Sequence, residues 1–234
     1  MSKPAPYAQR RPRVLITGFG PFPGIAENAS AVLADWLTQD ARKRHPNFDV
    51  VGATLPTEWR RGLEMLRELW QSALPDAALH FGVSSDVDGF AVEQFAYNCC
   101  ADDRDARGDF PPSREHRRGG PGRCTTSLPV DNIVRDLRAA GIPAELSIDA
   151  GRYLCNAVFY ESVACAMQVA IPTRAGFIHI PSTLALLPFE RTSGAQASGP
   201  TTGPHAAGHF DWNTARAGAR IILDTAIAAL PDPS

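Results

Sequence analysis

The chain has 234 residues, of which 44% are hydrophobic and 21% are charged, and its formal net charge is −2. This length suits one α/β domain that buries its own core, and we expect a single domain over residues 1–234 with a loose arm over 1–12. The near-neutral charge excludes a general nucleic-acid-binding surface, which needs a basic excess. No apolar run reaches the roughly 18 residues of a membrane span, and no apolar secretory signal follows the basic N-terminus.

The cysteine content predicts the redox compartment. An odd number of cysteines at irregular spacing argues against a complete disulfide framework, so we expect a reducing cytoplasm. The five cysteines are Cys99, Cys100, Cys124, Cys155 and Cys165.

Strand-like and helical patterns alternate along the N-terminal half. Short apolar runs that end at Gly or Pro predict buried strands, and apolar residues three or four positions apart predict helices. In chain order these are a strand over 13–17, a helix capped by Asn28 or Ser30, a strand over 49–55, a helix from about Glu58, and strands over 77–82 and 90–97.

The C-terminal half continues this alternation around two stretches without periodicity, 102–123 and 188–209, which are predicted as loops. Its elements are a helix over 130–140, a strand over 144–148, a helix over 155–169, a strand over 175–180 and a helix after Asn213. Because no repeat or linker interrupts the pattern, it predicts an α/β fold with a twisted, mostly parallel sheet and helices on both faces.

The turn after the first strand, GFGPFPG over 18–24, invites a nucleotide-binding interpretation. Its glycines miss the G-x-G-x-x-G spacing by one position, and its two prolines lack the N–H groups that cradle phosphate. Phe19 and Phe22 instead lie at the carboxyl edge of a strand, where open α/β sheets bind ligands. They fit a small, flat, apolar ligand, or they are core phenylalanines.

A cluster of Cys and His residues raises the question of a zinc site. Adjacent cysteines rarely bind one tetrahedral ion together, and the sequence has no C-x₂-C pair. We therefore expect structural thiols and no metal at Cys99, Cys100, His116 and Cys124.

Cys155, His179 and Glu93 stand in positions that suit nucleophilic catalysis. A cysteine at the start of a predicted helix has its thiolate stabilised by free N–H groups, which can also bind an oxyanion. His179 at the end of a buried strand can act as its base, and Glu93 can orient the imidazole. Taken singly, each is better explained as a structural residue: a buried cysteine, a hydrogen-bonded core histidine or a charge on an edge strand.

Four segments in order resemble pyroglutamyl peptidase type I, also called pyrrolidone carboxyl peptidase. They are TGFGPFPG followed by Asn28, then LPTEW, AGRYLCNAVFY and GFIHIP, and the likeness extends from about residue 13 to the final helix. The resemblance implies a three-layer α/β/α sandwich with a mixed sheet. It also implies a cysteine exopeptidase that removes N-terminal pyroglutamyl residues from peptides, works as a homotetramer and needs no metal or coenzyme.

The same resemblance assigns site residues. It implies that Glu93, Cys155 and His179 are catalytic, and that Phe19, Phe22 and Asn28 bind the pyroglutamyl ring.

The chain departs from the usual family pattern at several positions and in the loop over 102–123. These positions are Pro23, Ala29, Val83 and the approximate arginine counterpart Arg104. Two alternatives therefore stay open: a relative with a changed substrate or a non-catalytic binding role, and a nucleoside phosphorylase-like enzyme, which shares the sandwich architecture.

Overall fold

The computed structural model describes residues 10–25, 27–169, 172–189 and 210–231. Most of the predicted N-terminal arm, residues 1–9, and most of the predicted loop over 188–209 lie outside the described residues. The strands are β1 (Arg13–Phe19), β2 (Asp49–Leu55), β3 (Ala77–Ser84), β4 (Phe90–Glu93), β5 (Phe95–Tyr97), β6 (Arg123–Thr125), β7 (Ala144–Ser147) and β8 (Arg174–Pro181). The helices are α1 (Ala29–Arg44), α2 (Trp59–Ala73), α3 (Val130–Ala139), α4 (Leu154–Gln168), α5 (Trp212–Ala228) and a 3₁₀ helix (Ser182–Leu186).

Six strands form one mixed sheet in the order β2-β1-β3-β8-β4-β7, in which only the β4–β8 pairing is antiparallel. Two apolar clusters cover its faces. One joins the sheet to α1, α3 and α5, and the other joins it to α2 and α4. The predicted sandwich with a mostly parallel mixed sheet is therefore confirmed. None of the described helices is both long enough and apolar enough to cross a membrane.

The predicted strand over 90–97 is wrong as a single element. The chain leaves the main sheet at Gln94, so β4 pairs with β7 and β8 while β5 pairs with β6 in a separate two-stranded sheet. Gln94 still uses both backbone groups: its N–H donates to Ser147 O (2.7 Å), and its carbonyl accepts from Thr126 N (2.9 Å). Because both backbone groups of Gln94 are hydrogen-bonded, the chain can pass from one sheet to the other without leaving either group unpaired.

The stretch over 102–123 is largely irregular, as predicted, but it is not simply a surface loop. Asp105 is buried and caps α2 from outside that helix, because its Oδ2 accepts a hydrogen bond from Trp59 N (2.9 Å). Its Oδ1 accepts from the backbone N–H groups of Arg107 (2.9 Å) and Asp109 (3.0 Å). The segment therefore folds around the Asp105 carboxylate, which accepts a hydrogen bond from a backbone N–H group at the start of α2.

A buried histidine connects the sheet to α4. The His80 ring bonds through Nδ1 to Thr17 Oγ1 (2.7 Å) and through Nε2 to Ser162 Oγ (2.6 Å). Complete burial lowers the pKa of His80 to about 3. The folded protein therefore holds this imidazole neutral throughout the physiological range.

His80 is expected to make the fold sensitive to acid. The unfolded chain takes up a proton on this histidine near pH 6.5, but the folded chain takes it up only near pH 3. The stability that this group contributes is therefore complete above about pH 6.5 and decreases by up to about 1.4 kcal/mol for each pH unit as the pH falls toward 3. Urea unfolding at several pH values should show a shallower acid slope for His80→Gln than for the wild type. Identical slopes would contradict this assignment.

Candidate active site

Cys155 lies at the start of α4, as the sequence predicts. Tyr153 is the N-cap, and Cys155 is the second residue of the helix. The first backbone bond within the helix runs from Ala157 N to Tyr153 O (3.1 Å), so the preceding N–H groups are not used by the helix itself. Free N–H groups and the positive end of the helix dipole in this first turn suit a thiolate or an oxyanion.

His179 and Glu93 form a hydrogen-bonded pair on the sheet face below α4. His179 belongs to β8 and Glu93 ends β4, and His179 Nδ1 lies 2.7 Å from Glu93 Oε1. Glu93 is only 1% exposed and His179 is 7% exposed. Among the described residues, the second carboxylate oxygen of Glu93 has no hydrogen-bond partner. The pair is thus an ion pair withdrawn from water, with its Nε2 side left for another group.

The Cys155 sulfur interacts with the same imidazole. Burial by itself lowers the pKa of His179, but the interaction with Cys155 and the hydrogen bond to Glu93 outweigh it and raise the pKa to about 10. At neutral pH the imidazole, which lies between Glu93 and Cys155, therefore holds a proton. The three residues that the sequence singles out for catalysis lie together in this arrangement.

Gly82 is a part of the site that the sequence analysis does not single out. It is the register partner of His179 across β3 and β8, and the partner of His179 on the other side is Ala91. A Cβ atom at Gly82 would lie 2.8 Å from Cys155 Sγ and 2.7 Å from Phe177 Cζ, closer than such atoms approach in real structures. Because Gly82 has no side chain, the Cys155 sulfur can occupy the space above the sheet at this position.

Gly82→Ala is expected to displace the Cys155 sulfur. Because a positional error of about 1 Å can reduce a rate about 100-fold, we expect a loss of that size in kcat, with an overpacking cost of about 1–3 kcal/mol in unfolding free energy. Steady-state kinetics and urea unfolding measure the two effects. Gly122→Ala is the matched control, since a Cβ there meets nothing within 4 Å. Unchanged kcat in folded Gly82→Ala would contradict the packing argument.

The residues predicted to bind a ring are distributed differently. Phe19 is 3% exposed and its ring packs on Phe177 (centroids 6.3 Å apart), which in turn packs on His179 (5.0 Å). Phe22 is partly buried in the turn, where it forms a β-bridge with Ile25. In the described part of the chain no ring contact joins the two phenylalanines, so they do not form one stacked pair.

Asn28 holds the first turn in shape. Its Oδ1 accepts from Ser30 N (3.1 Å) and Ser30 Oγ (2.8 Å), which confirms it as the N-cap of α1. Its Nδ2 donates to Gly20 O (3.0 Å), which also accepts from Thr57 Oγ1 (2.9 Å). Asn28 is therefore directed at the backbone of the turn that carries Phe19 and Phe22.

The segment around Arg104 reaches the start of α4. Tyr153 OH donates to Arg104 O (3.1 Å), and the Tyr153 ring packs edge-on against Trp59 (5.2 Å). The Arg104 guanidinium turns back into its own loop, over the Phe110 ring (4.2 Å) and onto Gly108 O (2.6 Å). The backbone of Arg104, and not its charge, is the part that contacts the N-cap of the Cys155 helix.

All five cysteines are free thiols. Cys100 Sγ lies 3.3 Å from His116 Nδ1, but among the described residues no three His, Cys, Asp or Glu side chains are arranged to hold a metal ion. Burial, with a smaller effect of Cys99, raises the pKa of Cys100 to about 11, and burial also raises the pKa of Cys124 and Cys165. These three thiols therefore stay protonated at neutral pH, which makes them poor nucleophiles.

Comparison with known proteins agrees with the fold. A family model described as pyroglutamyl peptidase matches residues 12–195. Pyrrolidone-carboxylate peptidase 1 of Ralstonia nicotianae is 34% identical over 224 residues, which cover 94% of this chain and 95% of that protein. Pyrrolidone-carboxylate peptidase of Gloeobacter violaceus is 38% identical over 170 residues, covering 72% of this chain and 81% of the relative.

Comparison with solved structures points to the same family. Pyroglutamyl peptidase I of Bacillus amyloliquefaciens superposes with a TM-score of 0.76 at 28% identity, covering 94% of this chain and 99% of that one. A mutant pyrrolidone carboxyl peptidase of Pyrococcus furiosus superposes with a TM-score of 0.78 at 25% identity, covering 94% and 100%. The family resemblance of the sequence motifs is thereby confirmed: the chain belongs to the pyroglutamyl peptidase family.

Proposed function

We propose that this protein hydrolyses the amide bond that follows an N-terminal pyroglutamyl residue, with Cys155 as nucleophile, His179 as proton carrier and Glu93 as the group that orients His179. The observation that carries the proposal is the Cys155–His179–Glu93 cluster at the start of α4, in a chain of the pyroglutamyl peptidase family. Small peptides that begin with pyroglutamate are the expected substrates.

Before substrate binds, the Cys155 proton is held on His179 Nε2, as a thiolate–imidazolium pair. The thiolate then attacks the pyroglutamyl carbonyl carbon, and a C–S bond forms as the carbonyl oxygen becomes an oxyanion. Backbone N–H groups at the start of α4 donate to this oxyanion, and one such donor can be worth about 3 kcal/mol. Protonated His179 balances the developing charge while Glu93 stabilises the imidazolium.

The second half of the reaction uses the same histidine. His179 gives its proton to the leaving amine as the C–N bond breaks, which leaves a thioester on Cys155. His179 then removes a proton from water, the hydroxide attacks the thioester and the C–S bond breaks. Pyroglutamate leaves, and the thiolate–imidazolium pair is restored.

Recognition of the substrate rests on an uncharged ring. A pyroglutamyl group has no free α-amine, so the site needs no acidic residue to bind one, and the chain as a whole carries little net charge. We assign the ring contact to Phe22 and to the surface over Phe19, on the turn that Asn28 braces. The homotetramer implied by the resemblance remains our expectation for the assembly.

Release of a chromogenic amine from a pyroglutamyl amide tests the proposal. A prolyl amide is the matched control substrate, because it has the same ring size but a charged ring nitrogen and no lactam carbonyl. We expect turnover of the pyroglutamyl amide alone, without added phosphate. Absence of turnover by the folded wild-type protein would overturn the assignment, and a requirement for phosphate would favour the phosphorylase alternative.

A further inference from the structure

The side chain of Asn156, directly after Cys155, pairs with the backbone of a neighbouring strand. Asn156 is 0% exposed. Its Oδ1 accepts from Tyr97 N (2.7 Å), and its Nδ2 donates to Tyr97 O (2.8 Å). The amide thus satisfies both backbone groups of one residue of β5, as a neighbouring strand would.

Further contacts hold the same amide nitrogen. Asn156 Nδ2 lies 3.2 Å from Cys99 O and 3.1 Å from His116 Nε2. Burial lowers the pKa of His116 to about 4, so its ring is neutral and can accept this hydrogen bond. The amide is therefore fixed in orientation, since reversing it would face a carbonyl oxygen with another oxygen.

This pairing connects the two halves of the site. Tyr97 is in β5, which follows Glu93 after the single residue Gln94. Asn156 therefore joins the first turn of α4, which carries Cys155, to the chain segment that carries Glu93. Among the described residues, apart from the Cys155–His179 interaction, the next polar bond between α4 and the main sheet lies two turns further on, where Ser162 meets His80.

We propose that Asn156 is a positioning residue that fixes the Cys155 sulfur relative to the His179–Glu93 pair. Its part in turnover rests on the proposed function, but its effect on the reactivity of the Cys155 thiol does not. A purely structural role would lower the stability of the fold and leave that reactivity unchanged.

The chain contains a matched control at Asn98. Asn98 Oδ1 accepts from Arg117 N (2.9 Å), and its Nδ2 donates to Arg117 O (2.8 Å), so it makes the same two-bond pairing with one backbone residue. Asn98 is 8% exposed. It holds the stretch over 102–123 and makes no hydrogen bond to α4 among the described contacts.

The test compares Asn156→Ala with Asn98→Ala. Alkylation by iodoacetamide at neutral pH is followed for Cys155 by peptide mass spectrometry, with Cys165 on the same helix as the internal reference, and kcat and KM are measured on the pyroglutamyl amide. We expect Asn156→Ala to reduce Cys155 alkylation about tenfold and kcat about 100-fold, with KM changed less than about threefold. Asn98→Ala should leave all three within about twofold while lowering the melting temperature similarly.

Two results would overturn the proposal: wild-type alkylation of Cys155 in folded Asn156→Ala, or an equal loss in Asn98→Ala. Should Asn156→Ala not fold, Asn156→Ser keeps a hydroxyl for one of the two Tyr97 groups, and it should show the same losses to a smaller degree. Wild-type reactivity in the serine variant would likewise overturn the proposal. If the wild-type enzyme does not cleave the pyroglutamyl amide, the proposed function fails, and the alkylation comparison still decides the role of Asn156.

Discussion

Replacement of Cys155 by alanine is expected to reduce kcat/KM on a pyroglutamyl amide by about 10⁵-fold or more. Removal of a nucleophile ends covalent catalysis entirely, and what remains comes from the oxyanion donors and substrate binding. The fold should be nearly unaffected, because Cys155 is only partly buried and loses a single sulfur atom. Turnover of the amide, with circular dichroism and thermal unfolding as folding checks, measures both parts.

The matched variant is Cys165→Ala. Cys165 is a partly buried cysteine on the same helix, close to Arg117 and far from the first turn of α4. Its replacement should keep kcat/KM within about twofold. Retained turnover in Cys155→Ala would exclude the thioester mechanism while leaving the substrate class open, and loss of activity in both variants would point to a general effect on the helix.

Glu93→Gln is expected to reduce kcat by about 10³- to 10⁴-fold with a smaller effect on KM. An amide at this position no longer fixes the tautomer of His179 or stabilises the imidazolium, and a neutral orienting group costs about this much in other triads. The negative charge of Glu93 is also one of the causes that raise the pKa of His179. Its removal should therefore move the basic limb of the pH–rate profile to lower pH, which steady-state kinetics over a pH series can measure.

Glu161→Gln controls for the loss of a buried carboxylate. Glu161 is a buried residue of α4 and pairs with Arg67 (2.7 Å) and Arg117 (2.9 Å), away from the first turn of the helix. Breaking that ion pair should lower the melting temperature but leave kcat and its pH dependence intact. If Glu161→Gln loses as much kcat as Glu93→Gln, the effect at Glu93 is one of stability and not of catalysis.

Much of the fold can be predicted from local patterns. The strand over 49–55 agrees with β2 at both ends, and the helix capped by Asn28 begins at Ala29 as α1, because these elements carry clear periodicity, caps and breaking residues. The error over 90–97 has a different origin. Whether the chain stays in one sheet at Gln94 depends on its distant partners Ser147 and Thr126, which no local pattern shows.

The residues of the site likewise fall into two groups, those that the sequence predicts and those that only the fold reveals. Cys155, His179 and Glu93 are reactive residue types at element ends, so the sequence alone can nominate them. Gly82 and Asn156 carry no such signal, because their roles depend on what the fold places opposite them: a sulfur above one and a strand backbone beside the other. His80 belongs with them, since its neutral state follows from complete burial between Thr17 and Ser162.

The strand order has a consequence for when activity can arise during synthesis. β8 lies between β3 and β4, and in the main sheet it alone joins the group β2-β1-β3 to the pair β4-β7. A ribosome releases this strand after the other five, so the sheet cannot close on a nascent chain that ends before it. His179 lies on that strand, and its hydrogen-bond partner Glu93 lies 86 residues earlier in the chain. Under the proposed mechanism, the thiol of Cys155 therefore gains its proton acceptor only when the sheet is complete, and a partly synthesised chain is inactive as a peptidase.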